Sequence, residues 1–269
     1  MERIIHIEEV KRIQLDILSA LDEFCRSNNI QYTIIDGTLL GAVRHGGYIP
    51  WDDDIDVAME RKNYDLFIQL FPSLYEGKYK LASLECDKQW DRAYGCMYDD
   101  RTKLVYRNNS SVATGILIDI FPIDEVPDSE VEWERLKKKI LFYNKLSALK
   151  SSTSFRVSQS VIKNIFAGIL KILLKPISKR KVAEWQDRMA RSYNGKGYRC
   201  GYETTFGLGA LKRFKLADFR ETIVYSFEDR FFRGIKNYHS VLTDIYGDYM
   251  KLPPEEKRIT HHSFEAYWK

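Results

Sequence analysis

The chain has 269 residues, 44% hydrophobic and 30% charged, which excludes a disordered or fibrous protein and leaves room for one large or two small folded domains. Its net charge of +4 is too small to argue for a nucleic-acid partner, and it suits phosphorylated substrates or a membrane surface. Cys25, Cys86, Cys96 and Cys200 show no CxxC spacing and no histidine at zinc-finger distance, so reduced structural thiols of a cytoplasmic protein are expected.

Residues 7–28 predict an amphipathic helix, with Val10, Ile13, Ile17, Leu21 and Phe24 at three- and four-residue spacing. The amino-terminal residues show no signal-peptide core, and no run reaches the ~18–20 apolar residues of a membrane span. A β-branched run over 30–35 ends at Asp36-Gly37, a strand running into a turn. Residues 38–45 predict a short helix stopped by Gly46-Gly47. Pro50 leads into a strand over 53–59, and a helix follows over 61–71 until Pro72. Further strands are expected near 79–84, 93–98, 103–107 and 115–121, then a long charged helix over 130–150. This order predicts an α/β (α+β) fold, a mixed sheet flanked by helices, with a helical insertion and an α-rich carboxyl-terminal region. Residues 1–150 form the expected core, 151–185 a serine-rich loop with a basic amphipathic helix, and 186–269 a helical region completing the site.

Asp52, Asp53, Asp54 and Asp56 crowd four carboxylates into five residues. Strand alternation puts Asp52, Asp54 and Asp56 on one face and Asp53 on the other. A carboxylate pair such as Asp54 and Asp56 suits Mg²⁺, or Mn²⁺ in its place, bound together with substrate phosphates. A solvated acidic turn is the competing reading, and an EF-hand is excluded by the missing glycine and glutamate. Gly37-Thr38, at a helix amino terminus, offers backbone N–H groups suited to a phosphate. Arg44 can clamp a phosphate or pair with an aspartate, and His45 is a loop histidine within reach of the same chemistry. Tyrosine and tryptophan often line sugar or cationic-ligand sites, and Tyr48 and Trp51, then Tyr94 and Tyr202, are candidate walls.

The stretch from Asp36 to Asp56 resembles the nucleotidyltransferase superfamily, with its Gly-Gly/Ser turn followed by an Asp-x-Asp strand. More narrowly, Asp36-Gly37-Thr38-Leu39-Leu40-Gly41-Ala42-Val43-Arg44-His45-Gly46 with Ile49-Pro50-Trp51-Asp52-Asp53-Asp54-Ile55-Asp56 resembles the LicD family. Its members are bacterial phosphocholine transferases, with the fukutin-related protein as a relative. Ile118-Asp119-Ile120-Phe121-Pro122-Ile123-Asp124 is similar to the family's later Asp-x-Phe-Pro strand, and Tyr246–Arg258 with His261 to its carboxyl-terminal segment. Ahead of Asn237-Tyr238 the chain departs from the pattern, with Gly234-Ile235-Lys236 where a proline-containing segment is expected.

The resemblance implies a nucleotidyltransferase-like core and a metal site of Asp54 and Asp56, with Asp52 as a further acid and Asp119 as third carboxylate or base. It also favours Arg258 and His261 as substrate contacts, and leaves Asp124 as a turn residue. It implies transfer of phosphocholine from CDP-choline to a sugar hydroxyl of a teichoic acid or lipooligosaccharide precursor, releasing CMP. Transfer of another CDP-alcohol or of a nucleotidyl group, and a non-catalytic glycan- or membrane-binding module, are the alternatives. A lipid-linked acceptor would suit peripheral contact with the inner membrane face through residues 161–181, where apolar residues precede Lys175, Lys179, Arg180 and Lys181.

Overall fold

A computed structural model gives the fold for residues 3–106, 114–151, 168–169, 171–172, 174–205, 212–260 and 264–269. In chain order these hold β1 (Arg3–Ile5), α1 (Ile7–Ser27), β2 (Thr33–Ile34), α2 (Asp36–Arg44), β3 (Asp56–Glu60) and α3 (Arg61–Leu74). Then come β4 (Tyr79–Ala82), β5 (Gly95–Asp99), β6 (Thr102–Tyr106), β7 (Leu117–Val126), α4 (Glu130–Ser151) and α5 (Lys179–Arg191). The remainder is β8 (Cys200–Tyr202), β9 (Phe214–Lys215), α6 (Leu216–Arg220), β10 (Thr222–Phe227), β11 (Arg230–Ile235), α7 (Tyr238–Tyr246) and β12 (Phe264–Trp268).

The fold is α/β around a mixed sheet of order β10-β11-β2-β3-β7-β5-β4, with β8 against β7 and β9 against β8. β3 and β7 run parallel at its centre. Val57, Ala58 and Met59 of β3 and Ile118 and Ile120 of β7 are fully buried, because helices cover the sheet where these strands lie. The stripe expected of α1 is the buried one: Val10, Ile13, Ile17, Leu21 and Phe24 all face the core. A second, small sheet of order β1-β12-β6 joins the two ends of the chain. The four cysteines are free.

Several expectations change in detail. α3 passes through Pro72 and ends at Leu74, since one proline in a last turn forfeits a single backbone hydrogen bond. Asp124, expected in a turn, lies within β7 and is fully buried. Arg61 Nε and Nη2 donate to its carboxylate at 2.7 and 2.8 Å, and Asn194 and Thr204 each donate at 2.6 Å. Four donors to one buried carboxylate make it a tie between β7, α3 and the later chain.

The carboxyl-terminal third is helical in α6 and α7, yet it also supplies β12 and the β10–β11 hairpin. The hairpin was masked in the sequence because Glu228-Asp229, its loop, is neither Asn-Gly nor Asp-Gly, although Glu228 adopts φ 55°. Residues 161–167, 170 and 173 of the proposed membrane-facing helix lie outside the described residues; Ile169 and Ile172 are exposed. Lys179, Arg180 and Lys181 belong instead to α5, which Ser178 caps by accepting from Lys181 N at 3.1 Å. α5 therefore crosses the expected boundary at 185. Arg180 faces inward, donating to the carbonyls of Leu84, Asp87 and Trp90 at 2.6, 2.7 and 3.0 Å.

Candidate active site

The site begins where β2 gives way to α2. Asp36, at the junction, holds φ 47°, a left-handed conformation that aspartate tolerates better than most residues. Next to it, a Cβ on Gly37 would lie 2.6 Å from Asp52 Oδ2, so only glycine lets that carboxylate reach the start of α2. Thr38 is buried, and its hydroxyl accepts from Asp56 N at 2.8 Å. Ile35 N donates to Asp56 O at 3.1 Å, so the helix start and the start of β3 are fastened together.

β3 and β7 then align the acids. Asp56 and Asp119 are register partners on parallel strands, so their side chains leave the same face of the sheet. Asp119 N donates to Ile55 O at 3.0 Å. Upstream the chain is not yet a strand. Asp52 N closes a turn on Ile49 O at 2.9 Å, and β3 starts only at Asp56.

The alternation expected from residue 53 therefore does not hold across the acidic run. Asp53 gathers with its neighbours: Asp52, Asp53 and Asp54 each offer a carboxylate oxygen, all within 4.8 Å of one another. Gln14 of α1 braces this loop, donating to Asp53 O at 2.9 Å and to Leu117 O at 3.2 Å.

Packing carboxylates this closely is electrostatically costly, and their proton affinities record it. Burial pushes the Asp36 carboxyl up to about 6. Burial, followed by the charges of Asp54 and Asp53, pushes Asp52 up to about 7. Asp56 lies well above the ordinary carboxylate range, through burial first and then the charges of Asp54, Asp36, Asp119 and Asp52. The three carboxylate oxygens gathered in the loop are hard-oxygen donors of the kind that suit a divalent ion such as Mg²⁺, and Asp56 and Asp119 stand outside that cluster on the adjacent strands.

The remaining predicted residues divide. Trp51 gathers His45, edge-on at 6.3 Å between ring centroids, and Arg258, whose guanidinium lies 5.7 Å from its ring. Arg258 Nε also donates to Pro253 O at 2.8 Å. Arg44 Nη1 donates to Tyr249 O at 2.6 Å, tying the end of α2 to the carboxyl-terminal segment. His45 is exposed, and its imidazole is shifted down by desolvation and then by Arg44.

Tyr48 is not brought to the site surface. It is buried against Phe227, and its hydroxyl donates to Lys11 O or Gln14 Oε1, each at 3.1 Å. Tyr94 and Tyr202 are buried too, Tyr202 edge-on to Trp133 at 5.3 Å. His261 lies outside the described residues.

Three residues were not singled out from the sequence. Asp36 stands in the motif where the sequence predicts a turn, and the structure makes it the first residue of α2. Tyr246 ends α7, and its hydroxyl is held protonated by burial and then by the charges of Asp36, Asp56, Asp52 and Asp54. Arg92 approaches Asp119, with Nη1 3.8 Å from Oδ1. Only their positions in the fold reveal the last two.

A family model described as LicD/FKTN/FKRP, nucleotidyltransferase domain, matches residues 29–165. The lipopolysaccharide cholinephosphotransferase LicD of Haemophilus influenzae is 30% identical over 268 residues, covering 97% of each chain. An uncharacterized protein of Rickettsia typhi is 40% identical over 76 residues, 28% of this chain and 25% of its own. One from Rickettsia prowazekii is 32% identical over 114 residues, 38% of this chain and 42% of its own.

Proposed function

The chain belongs to the LicD family, and from that premise we propose that it is a transferase moving phosphocholine from CDP-choline to a sugar hydroxyl of a cell-surface glycan, with release of CMP. A lipopolysaccharide-type acceptor is favoured by the Haemophilus relative, whose name assigns it that substrate; a teichoic acid precursor has the same chemistry. The observation that carries the reading is the acid cluster, three carboxylate oxygens within 4.8 Å beside the register pair Asp56 and Asp119.

In this reading Asp52, Asp54, Asp56 and Asp119 would hold Mg²⁺. The ion, when bound, supplies positive charge that offsets the diphosphate and the departing CMP. The backbone N–H groups at the start of α2 face a phosphate of the donor, as Gly37 and Thr38 open that helix. Thr38 serves indirectly, because its hydroxyl fixes the Asp56 amide.

Asp119 accepts the proton of the acceptor hydroxyl. The hydroxyl oxygen bonds to the choline-side phosphorus, and the bond from that phosphorus to the bridging oxygen breaks, its electron pair leaving with CMP. Trp51, with His45 and Arg258 around it, forms the rim where substrate enters. We assign the transfer chemistry to residues 1–150 and the closing of the site to the segment after 186, from which Tyr246 and Arg258 come.

Among the described residues no helix is long and apolar enough to cross a membrane. We place the enzyme at the cytoplasmic face, where a lipid-linked acceptor would be presented, with residues 161–179 as a peripheral contact and Arg180 excluded from it by its inward bonds. The test is transfer from CDP-choline to candidate glycans, read by mass, with Mg²⁺ and with chelator. Metal-dependent gain of one phosphocholine supports the reading; no transfer from CDP-choline while another CDP-alcohol is used would reassign the donor.

A further inference from the structure

Arg92 lies on the segment between β4 and β5, away from the motifs. Its guanidinium sits 5.2 Å from the ring of Trp90 and 5.8 Å from that of Tyr94, and its charge acts on the Tyr106 phenol. The platform is rigid for reasons outside the site. Trp90 is 1% exposed, its indole N–H donates to Tyr94 O at 2.6 Å, and Arg180 of α5 ties down the carbonyls of the same loop. The Arg92 side chain nevertheless keeps 26% of its surface open.

We propose that Arg92 is a phosphate clamp of the transfer site, gripping phosphoryl oxygens of the diphosphate donor beside Asp119. The inference rests on the diphosphate-donor reading above. Three observations carry it. First, Asp36, Asp52, Asp53, Asp54, Asp56 and Asp119 repel an incoming diphosphate, so a cation fixed at their border offsets that repulsion along with any bound metal. Second, Arg92 stands 3.8 Å from Asp119, beyond hydrogen-bond length. It has not closed the bidentate fork that arginine forms with a carboxylate, and its planar fork of five N–H donors suits the oxygens of a phosphate. Third, Arg44, for which the sequence leaves a phosphate clamp or an ion pair with an aspartate open, spends Nη1 on Tyr249 O at 2.6 Å.

Stacking on aromatic rings holds the guanidinium plane before a ligand arrives, so little ordering is left to be done on binding. A lysine there would keep the charge and lose the fork.

The test is calorimetric binding of inorganic pyrophosphate in the presence of Mg²⁺ to the parent, Arg92→Gln and Arg92→Lys, with thermal melts of each. The clamp predicts binding weakened at least ~10-fold in Arg92→Gln and by an intermediate factor in Arg92→Lys. Equal affinity in all three overturns it, as does a parent that binds no pyrophosphate. Should Arg92→Gln fail to fold, Arg92→Lys decides, parental affinity overturning the clamp. CMP release from CDP-choline by the same preparations separates the two readings: Arg92-dependent pyrophosphate binding without CMP release from the parent keeps the clamp and removes the choline assignment.

Discussion

The Asp52→Asn substitution removes one charge from the acid cluster and changes almost nothing in shape. In the folded chain the Asp52 carboxyl is pushed from 3.8 up to about 7, first by burial and then by Asp54. The folded state therefore holds a proton that the unfolded state has already lost between those values. Stability from this group is fully present below about pH 4 and is lost as pH rises through about 7. Three units at 1.36 kcal/mol each set a ceiling of ~4 kcal/mol. Coupling to Asp54 and partial solvation reduce this to about 2 kcal/mol. At roughly 2–4 °C per kcal/mol for a chain of this size, Asp52→Asn in chelator at about pH 8 should melt roughly 4–8 °C above the parent. Below about pH 4 the two should melt together, and Mg²⁺ should raise the parent more than the variant. Circular-dichroism melts across pH, with and without metal, are the assay. Identical melting of the two proteins at about pH 8 in chelator would refute the reasoning.

Other outcomes follow from the same contacts. Asp54→Asn and Asp56→Asn should abolish CMP release from CDP-choline while the melt is kept or raised; a fully active double variant removes the site. Gly37→Ala drives a Cβ to 2.6 Å from Asp52 Oδ2, so turnover should fall by at least ~10-fold, a loss of about 1.4 kcal/mol of transition-state stabilisation, read as CMP release. Thr38→Val leaves the half-buried Asp56 N–H without its 2.8 Å acceptor and should cost about 1 kcal/mol in urea denaturation. Arg61→Leu strands the fully buried Asp124 carboxylate and should cost roughly 3–5 kcal/mol by the same measurement, against a much smaller loss for Arg3→Leu at an exposed pair.

What the sequence discloses is what repeats locally. The stripe of α1, the β-branched run before Asp36 and the glycine stop after His45 are each set by near neighbours, and each is found where periodicity and turn chemistry place it. Asp54, Asp56 and Asp119 were legible because a short motif names them and parallel pairing then aligns Asp56 with Asp119. Asp53 departs from the expected face because strand pairing, and with it alternation, starts only at Asp56, after a turn closed by Asp52 N on Ile49 O. Tyr48 looked like a binding aromatic from its place beside the aspartates, but the hydroxyl is claimed by α1. Arg92, Tyr246 and the buried Asp124 network depend on residues far apart in the chain, and no local pattern encodes such meetings.

One long-range contact bears on how the protein is made. Glu228, at the tip of the β10–β11 hairpin, accepts from Tyr48 N at 2.9 Å through its carboxylate, while its own N–H donates to Gly46 O at 2.8 Å. A Cβ at Gly47 would collide with that carboxylate. The loop that carries the aspartates is thus clasped by a residue translated 180 positions later. A ribosome-bound chain that has exposed the whole motif but not the hairpin should have an open, unfinished acidic loop, and should acquire metal only after the hairpin emerges. Metal capture by stalled chains of increasing length would show the step at Glu228, and under the proposed function a centre completed so late would be withheld from nucleotide until synthesis is nearly over.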